Sequence, residues 1–548
     1  MLLADLLERN SELYGDETAL VELNPVHDEA KNLKWKEYEL VETGHSVHYR
    51  SELTWKEFDD MSNRVANMLI AGGVKRGEKV AILLMNCIDW LPIYFGVLKT
   101  GALAVPLNFR YTSDEIAYCV ELSEASVLFF GHEFTGRIEA VKEDLLMKGI
   151  REYYFVGMEK PEYAKSFEKE VAEYPDTKPA ITETIKEEDE GAIYFSSGTT
   201  GFPKAILHTQ ASLYSAAMTE WNHHGQQKED IFILIPPLYH TGAKMHWFGS
   251  LVSGSKSILL KGTDPGWVLH TAAAEKATIV WLLVPWARDV LDYYEDNKEE
   301  MEKLDLSNWR LMHIGAQPVP PSLIKRWLSF FPHHQYDTNY GLSESIGPGC
   351  VHLGIENVHK VGSIGKAGHG WKTRVVDENG IDVEPGSVGE LIVKGPGVMV
   401  EYYRNPEATK ESLKDGWLFT GDMAKEDEEG FIYLVDRKKD VIITGGENIY
   451  PVQIEDFLNA FTPIKDVAVI GVQDDRLGEI AVAIIEPKEG VTLTEAEVMA
   501  FAEDLPRYKR PRRIIFDKVP RNATGKIEKP KLRKKYNEGS IVAQQTES

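Results

Sequence analysis

The chain has 548 residues, 43% of them hydrophobic and 27% charged, which excludes a disordered or fibrous protein and, at this length, predicts roughly two to four domains. Lys and Arg number 61 against 86 Asp and Glu, a formal net charge of -25, so the molecule as a whole repels nucleic acid and anionic membranes. The three cysteines, Cys87, Cys119 and Cys350, form no C-x-x-C pair, which argues against a disulfide framework and a Cys-based zinc site and fits a reducing compartment.

The opening MLLADLLERN carries acidic residues early and reads as a short amphipathic helix, not a signal peptide. The most apolar stretch, Thr278 to Trp286, is far shorter than the roughly 18 residues of a membrane span. A cytoplasmic protein with no integral membrane segment is expected. Thr54 and Glu57 have the spacing of a capping box, in which each side chain satisfies the other's free amide. Phe58, Met61, Val65, Met68 and Leu69 then fall on one helical face, and Gly72 or Gly73 can end the helix. Apolar runs begin at Val80, Ser126, Ala192, Ile231, Ser257, Thr278 and Leu311, with helical stretches between many of them. This alternation predicts an α/β fold with layered, largely parallel sheets. The acidic KEEDE, Lys186 to Glu190, reads as a linker into a second unit. From about Gly370, Gly- and Asp-rich turns around GELIVKGPG predict a small antiparallel β region. A further α+β unit starts near Asp440 with DVAVIGV and IAVAIIEP. It ends in a basic segment, Arg507 to Lys535, with 13 Lys and Arg against 2 Asp and Glu. Such an excess is either a solvated face or a site for a polyphosphate.

The densest chemical signal is YFSSGTTGFPKA, Tyr194 to Ala205. Gly198 and Gly201 allow a sharp turn with amides free to face an anion. Ser196, Ser197, Thr199 and Thr200 add hydroxyl donors and Lys204 a charge, a set suited to a triphosphate. It is not a GxxxxGK[ST] P-loop, because Ala205 follows the lysine. Further segments are PPLYHTGA around His240, GAQPVP (Gly315, Ala316, Gln317), NYGLSE (Asn339 to Glu344), TGD ending at Asp422, DRKKD (Asp436 to Asp440), TGGENIYP (Thr444 to Pro451) and PRNATGKIEK with Lys526.

Together these motifs resemble the adenylate-forming enzymes: acyl- and aryl-CoA synthetases, adenylation domains of peptide synthetases, and luciferases. The phosphate loop of that family reads close to TSGTTGxPKG, from which Ala205 departs. Ser343 replaces the threonine of its YGxTE motif, and Gln317 and Val319 depart from GAAPL. The resemblance implies ATP-dependent activation of a carboxylic acid to an acyl-adenylate, followed by transfer to coenzyme A. It implies that Ser196, Ser197, Gly198, Thr199, Thr200, Gly201 and Lys204 hold phosphates. Gly315, Ala316, Gln317, Asn339, Tyr340 and Gly341 would line the adenine and acyl walls. Ser343 would contact phosphate, Glu344 would hold Mg²⁺, His240 would border the acyl pocket, and Asp422 and Arg437 would hold the nucleotide. Lys526 would be the catalytic lysine, bringing carboxylate and α-phosphate together. Gly445, Gly446 and Glu447 would line the pantetheine tunnel of CoA. The implied division is an N-terminal adenylation domain over residues 1–436, a hinge over 437–440 with Lys439 as pivot, and a mobile C-terminal domain over 441–548.

In the acetate enzymes of that family a Trp stands just before the motif's glutamate. Here Tyr340-Gly341 occupies that stretch, so a medium- or long-chain fatty acid or an aryl acid is expected. A homodimer is compatible with the sequence, and nucleic acid is not an expected partner. The alternatives are an adenylating enzyme with another acceptor, either a carrier-protein thiol or luciferase-like oxidation, and a non-catalytic nucleotide-binding homologue. Peptide-synthetase domains carry an aspartate near His240 to pair an α-amino group, and none is present there.

Overall fold

The computed structural model describes residues 1–24, 50–196, 203–262, 264–315, 319–444, 447–474, 476–521 and 527–538. Two large sheets carry the N-terminal part. The first has seven strands in the order Gln335–Asp337, Leu311–Gly315, Ile279–Leu283, Ile231–Leu234, Lys256–Leu260, Thr18–Leu23 and Arg50–Thr54. All its pairings are parallel except that of the edge strand Arg50–Thr54. The second has eight strands, with Lys79–Leu83 between Leu103–Pro106 and Ala125–Gly131. Its centre is parallel, and the hairpin of Glu190–Phe195 with Ala205–Thr209 is antiparallel. Each apolar run read from the sequence is a strand of one of these sheets. Strands buried on both faces show continuous apolar runs, not alternation.

The predicted capping box closes the helix Trp55–Ala71: Thr54 Oγ1 accepts from the Glu57 amide at 3.2 Å and Glu57 Oε2 from the Thr54 amide at 2.8 Å. Phe58, Val65, Met68 and Leu69 are buried on its inner face, with Met61 partly so. That face meets the fully buried helix Trp90–Thr100, and Gly96 permits the approach, since a Cβ there would stand 2.4 Å from Val65 Cγ1. Phe58, Phe95 and Trp247 interlock with ring centroids 5.5–6.1 Å apart, joining the helices into the core between the sheets. Buried rings of this size dominate such a core, each costing about 3–5 kcal/mol on truncation to Ala.

Lys186 to Glu190 is not a boundary between units. The strand Glu190–Phe195 that follows pairs with Leu103–Pro106 inside the eight-stranded sheet, and Arg76 binds Asp189 at 2.5 Å. The acidity serves that ion pair and the turn into the strand.

Beyond the two large sheets lie a three-stranded antiparallel sheet over Asn339–Leu342, Gly347–His352 and Lys366–Ala367, and a five-stranded one over residues 372–437. The latter is the expected small antiparallel region. Residues 442–516 form a fifth sheet in which Ile464–Asp474 and Gly478–Pro487 pair over their full length. It has its own apolar core around Ile454, Leu458, Val467, Val469 and Ile485. Among the described residues no helix is long and apolar enough to cross a membrane.

Candidate active site

Three sequence segments far apart in the chain meet at Asp422. This residue lies on the strand Trp417–Glu426, which pairs antiparallel with Ile432–Arg437 so that Asp422 stands directly opposite Arg437. Arg437 Nε binds Asp422 Oδ1 at 2.7 Å, and Tyr340 Oη donates to Asp422 Oδ2 at 2.5 Å. Tyr340 reaches the carboxylate from the strand Asn339–Leu342, and its carbonyl accepts from Cys350 Sγ at 2.9 Å. Burial, reinforced by the Asp422 charge, holds the Tyr340 phenol well above its ordinary range, so it stays a donor. The Asp422 charge raises the Arg437 guanidinium despite its burial.

Glu344 occupies the turn Ser343–Ser345 after that strand and is partly exposed. Its Oε1 accepts from Tyr402 Oη at 2.8 Å, and among the described residues no hydrogen bond engages Oε2. Lys204 Nζ lies 4.6 Å above the centre of the Tyr402 ring, a cation–π contact. Lys204 and the glutamate of NYGLSE are thus brought to the same tyrosine. Ser196 and Lys204 close the neck of their hairpin, the Ser196 amide donating to the Lys204 carbonyl at 3.0 Å. Ser197, Gly198, Thr199, Thr200 and Gly201, on the loop between them, lie outside the described residues, as do Ala316, Gln317, Gly445, Gly446 and Lys526.

Ser343 Oγ is 3.5 Å from Thr241 Oγ1, and its carbonyl accepts from His208 Nε2 at 2.8 Å. Burial depresses His208 to about 4, which keeps that ring neutral. His240 caps the helix Thr241–Ser253, its Nδ1 accepting from the Gly242 amide at 3.1 Å. Gly315 ends its strand beside Asn339, and a Cβ added there would stand 3.5 Å from Asn339 Oδ1, filling the space between them. Asn339 Nδ2 faces Glu220 Oε1 at 3.2 Å and His246 Nε2 at 3.1 Å. Gly341 lies between Tyr340 and the Glu344 turn on a half-buried strand.

Asp436 and Asp440 bracket Lys439 at the junction with the last sheet. Asp436 Oδ2 accepts from the Val452 amide at 2.9 Å, and Arg533 Nη2 binds Asp440 at 2.6 Å. Burial lowers the Lys439 ammonium. Glu447 is exposed at the start of the strand Glu447–Ile449, paired with Ile442–Thr444. Arg521 and Ile527, which flank the segment that carries Lys526, are joined by an antiparallel bridge. Several cations of the basic C-terminal segment are already committed within the last unit: Arg521 to Asp466, Lys529 to Glu455 and Lys535 to Asp517. These cations tie the last helix and the segment before it to the rest of the small unit.

Tyr402, His208 and Thr241 are the contacts that sequence reasoning missed. Each lies far along the chain from the motif it supports; Thr241 sits inside PPLYHTGA without standing out there, and Tyr402 and His208 belong to none of the motifs.

A tyrosine, a carboxylate and an arginine joined across two sheets, beside a lysine-bearing hairpin and with a separate C-terminal unit, are the framework of an adenylate-forming enzyme. The chain belongs to the AMP-binding enzyme family, which matches residues 29–403, while residues 453–526 match the AMP-binding enzyme C-terminal domain. It is similar to the long-chain-fatty-acid–CoA ligase FadD13 of Mycobacterium tuberculosis, 31% identical over 489 residues that cover 88% of this chain and 93% of the relative. It is 32% identical to a feruloyl-CoA synthase of an Amycolatopsis species over 493 residues, 89% of this chain and 95% of the relative. The crystal structure of the anthranilate CoA ligase AuaEII in complex with anthranoyl-AMP superposes with a TM-score of 0.86 at 25% identity, covering 99% of this chain and 98% of that one.

Proposed function

We propose that this chain is an AMP-forming carboxylic acid–CoA ligase acting on an aryl acid or a medium- to long-chain fatty acid rather than acetate. The substrate carboxylate attacks the α-phosphorus of ATP and pyrophosphate leaves. The CoA thiol then attacks the acyl carbonyl, forms the thioester and releases AMP. A carboxylate is already ionised at neutral pH, so the first step needs positioning and charge stabilisation and no general base.

The observation that carries the reading is the convergence on Asp422. Its carboxylate, held between Tyr340 and Arg437, is set to accept from ribose hydroxyls, with the Tyr340 ring as the adenine platform. Lys204 and the hydroxyls of the loop before it, Ser196 included, would grip the phosphates. Gly315, Gly341 and Asn339 would form the wall behind adenine and acyl group, with His240 at its edge. Glu344 fits a Mg²⁺ ligand, since Tyr402 fixes one of its oxygens and the other has no hydrogen bond among the described residues. Bound there, Mg²⁺ would neutralise phosphate charge. Lys526 would draw carboxylate and α-phosphate together. Residues 437–440 would serve as the hinge between units 1–436 and 441–548, with Gly445, Gly446 and Glu447 along the thiol's approach.

The absence of a tryptophan around Tyr340-Gly341 supports an acid larger than acetate, and the named acids of the relatives and of the structural neighbour are all larger. The test is acid-dependent pyrophosphate exchange over a panel of aryl, fatty and short acids, with AMP release measured with and without CoA. Exchange with an aryl or fatty acid and CoA-dependent AMP release are expected. Exchange with acetate alone, or AMP release indifferent to CoA, would overturn the proposal.

A further inference from the structure

Four histidines and two carboxylates from five separate elements meet in the interior behind Asn339. Glu220 and His224 lie on the helix Gln210–His224, His246 on Thr241–Ser253, His313 on Leu311–Gly315, Asp337 on Gln335–Asp337 and His352 on Gly347–His352. Glu220, His313 and Asp337 are fully buried, and the other three are at most 3% exposed. Two carboxylates cannot remain charged at such depth without a compensating cation.

Hydrogen bonding fixes where that cation must sit. His246 Nδ1 donates to the Gly242 carbonyl, which can only accept, so the Nε2 of the neutral ring carries a lone pair. His313 Nε2 is 2.8 Å from that nitrogen and must supply the proton, which leaves His313 Nδ1 bare. His313 Nδ1 lies 2.8 Å from His224 Nε2. The other nitrogen of His224, Nδ1, faces Glu220 Oε2 at 3.3 Å, and neither atom makes a hydrogen bond among the described residues. Asp337 Oδ2 lies 3.3 Å from His224 Nε2, 3.7 Å from His313 Nδ1 and 3.8 Å from His352 Nδ1. Ring nitrogens of His224 and His313 and one carboxylate oxygen of Asp337 therefore face one point, with His352 beside Asp337 at its edge.

A single proton on His224 Nε2 answers this convergence only in part. Asp337 Oδ2 and both ring nitrogens of His352 are buried without a hydrogen bond among the described residues. A tetrahedral dication bonded to nitrogen and oxygen at about 2.0–2.1 Å sets its ligand atoms roughly 3.3 Å apart. The separations among His224, His313 and Asp337, 2.8, 3.3 and 3.7 Å, bracket that value. His224, His313 and Asp337 bring their ligand atoms within 4.8 Å of one another.

We propose that His224 Nε2, His313 Nδ1 and Asp337 Oδ2 form three corners of a buried tetrahedral site for a divalent transition metal of the zinc class. Imidazoles with one carboxylate suit zinc, cobalt or ferrous iron rather than magnesium or calcium. The three ligands are at most 1% exposed, which keeps substrate away from the metal and makes the site structural. Glu220 and His246 act as outer partners that orient two of the rings. The metal joins the helix Gln210–His224 to two neighbouring strands of the seven-stranded sheet, and Asp337 lies two residues before Asn339, next to Tyr340. It would thus brace the rear wall of the proposed nucleotide pocket. The site stands apart from Glu344 and does not depend on the catalytic reading.

The test is the metal content of untagged full-length protein by plasma mass spectrometry after dialysis. Unfolding in chelator and refolding with either Zn²⁺ or Co²⁺ follows. About one tightly held metal per chain is expected, with the intense visible d–d absorption of tetrahedral Co²⁺ in the cobalt form. His313→Gln and Asp337→Asn should each lower retained metal about tenfold or more, and Glu447→Gln should leave it unchanged. If a variant fails to fold, the cobalt spectrum and the chelator-induced drop in Tm of the unaltered chain still decide. No retained metal on purification and none after refolding would overturn the proposal and assign the charge to a protonated His224. A weak, octahedral cobalt spectrum would overturn it equally.

Discussion

Asp422 and Arg437 face each other across two paired antiparallel strands, and the carboxylate uses its two oxygens for different partners, Arg437 at 2.7 Å and the Tyr340 phenol at 2.5 Å. One side chain thus sets the position of a ring from one sheet and a guanidinium at the edge of the last unit.

Asp422→Asn keeps the shape and removes the charge. The ATP-dependent kcat/KM of pyrophosphate exchange should fall roughly a hundredfold, about 3 kcal/mol, chiefly through KM for ATP. Arg437→Lys should not substitute for the guanidinium, because a flexible ammonium does not reproduce the placement of the Nε–H held against Asp422 Oδ1. Full exchange activity in Asp422→Asn would remove it from the nucleotide site.

Lys526→Ala should abolish adenylation and preserve thioester formation from a preformed acyl-adenylate supplied with CoA. The two half-reactions are measured separately. Unchanged overall turnover would exclude Lys526 from the catalytic set.

Glu344→Gln should depress activity most at low Mg²⁺, because the amide keeps the Tyr402 hydrogen bond and loses the charge. Tyr402→Phe should produce a smaller, similar shift by freeing the carboxylate. A Mg²⁺ titration that superposes on that of the unaltered enzyme would rule out the metal role.

Lys439→Pro fixes φ near about -65° and removes an amide at the proposed pivot. It should retain one half-reaction and lose most of the other. Equal losses in adenylation and thioester formation would count against rotation at this residue.

Burial holds the Asp436 carboxyl at about 6, against an unfolded value of about 3.9. The folded chain therefore binds the extra proton between those values. The stability this contributes is complete below about pH 4 and is lost as pH rises through about 6. Asp436→Asn takes up no proton, and its amide oxygen can still accept from Val452. The stability of the unaltered protein relative to the variant should fall by about 2 kcal/mol from about pH 4 to about pH 7, read by denaturant unfolding at each pH. A pH-independent difference would mean that the carboxyl is not buried.

Local signals were legible where local physics acts. The Thr54–Glu57 capping box, the buried face of its helix and every apolar strand follow from contacts within a turn or from burial on two faces. The acidic run at Lys186 misled because an ion pair to Arg76 and a linker have the same composition. The basic segment carried the same ambiguity, and only the partners of Arg521, Lys529 and Lys535 reveal how much of it is structural.

By itself the sequence determined which apolar runs become strands and which motifs mark an adenylate-forming enzyme, because phosphate grip and strand formation depend on neighbours in the chain. Only the tertiary structure decided that Tyr340, Asp422 and Arg437 share one set of hydrogen bonds, and that Tyr402 joins Glu344 to Lys204. It alone gathered His224, His313 and Asp337 from a span of 114 residues (224 to 337 inclusive), a set with no spacing to read because each ligand comes from a different element. The physical reason is the same in each case: hydrogen bonds and ligand fields act over about 3 Å in space and are indifferent to separation along the chain.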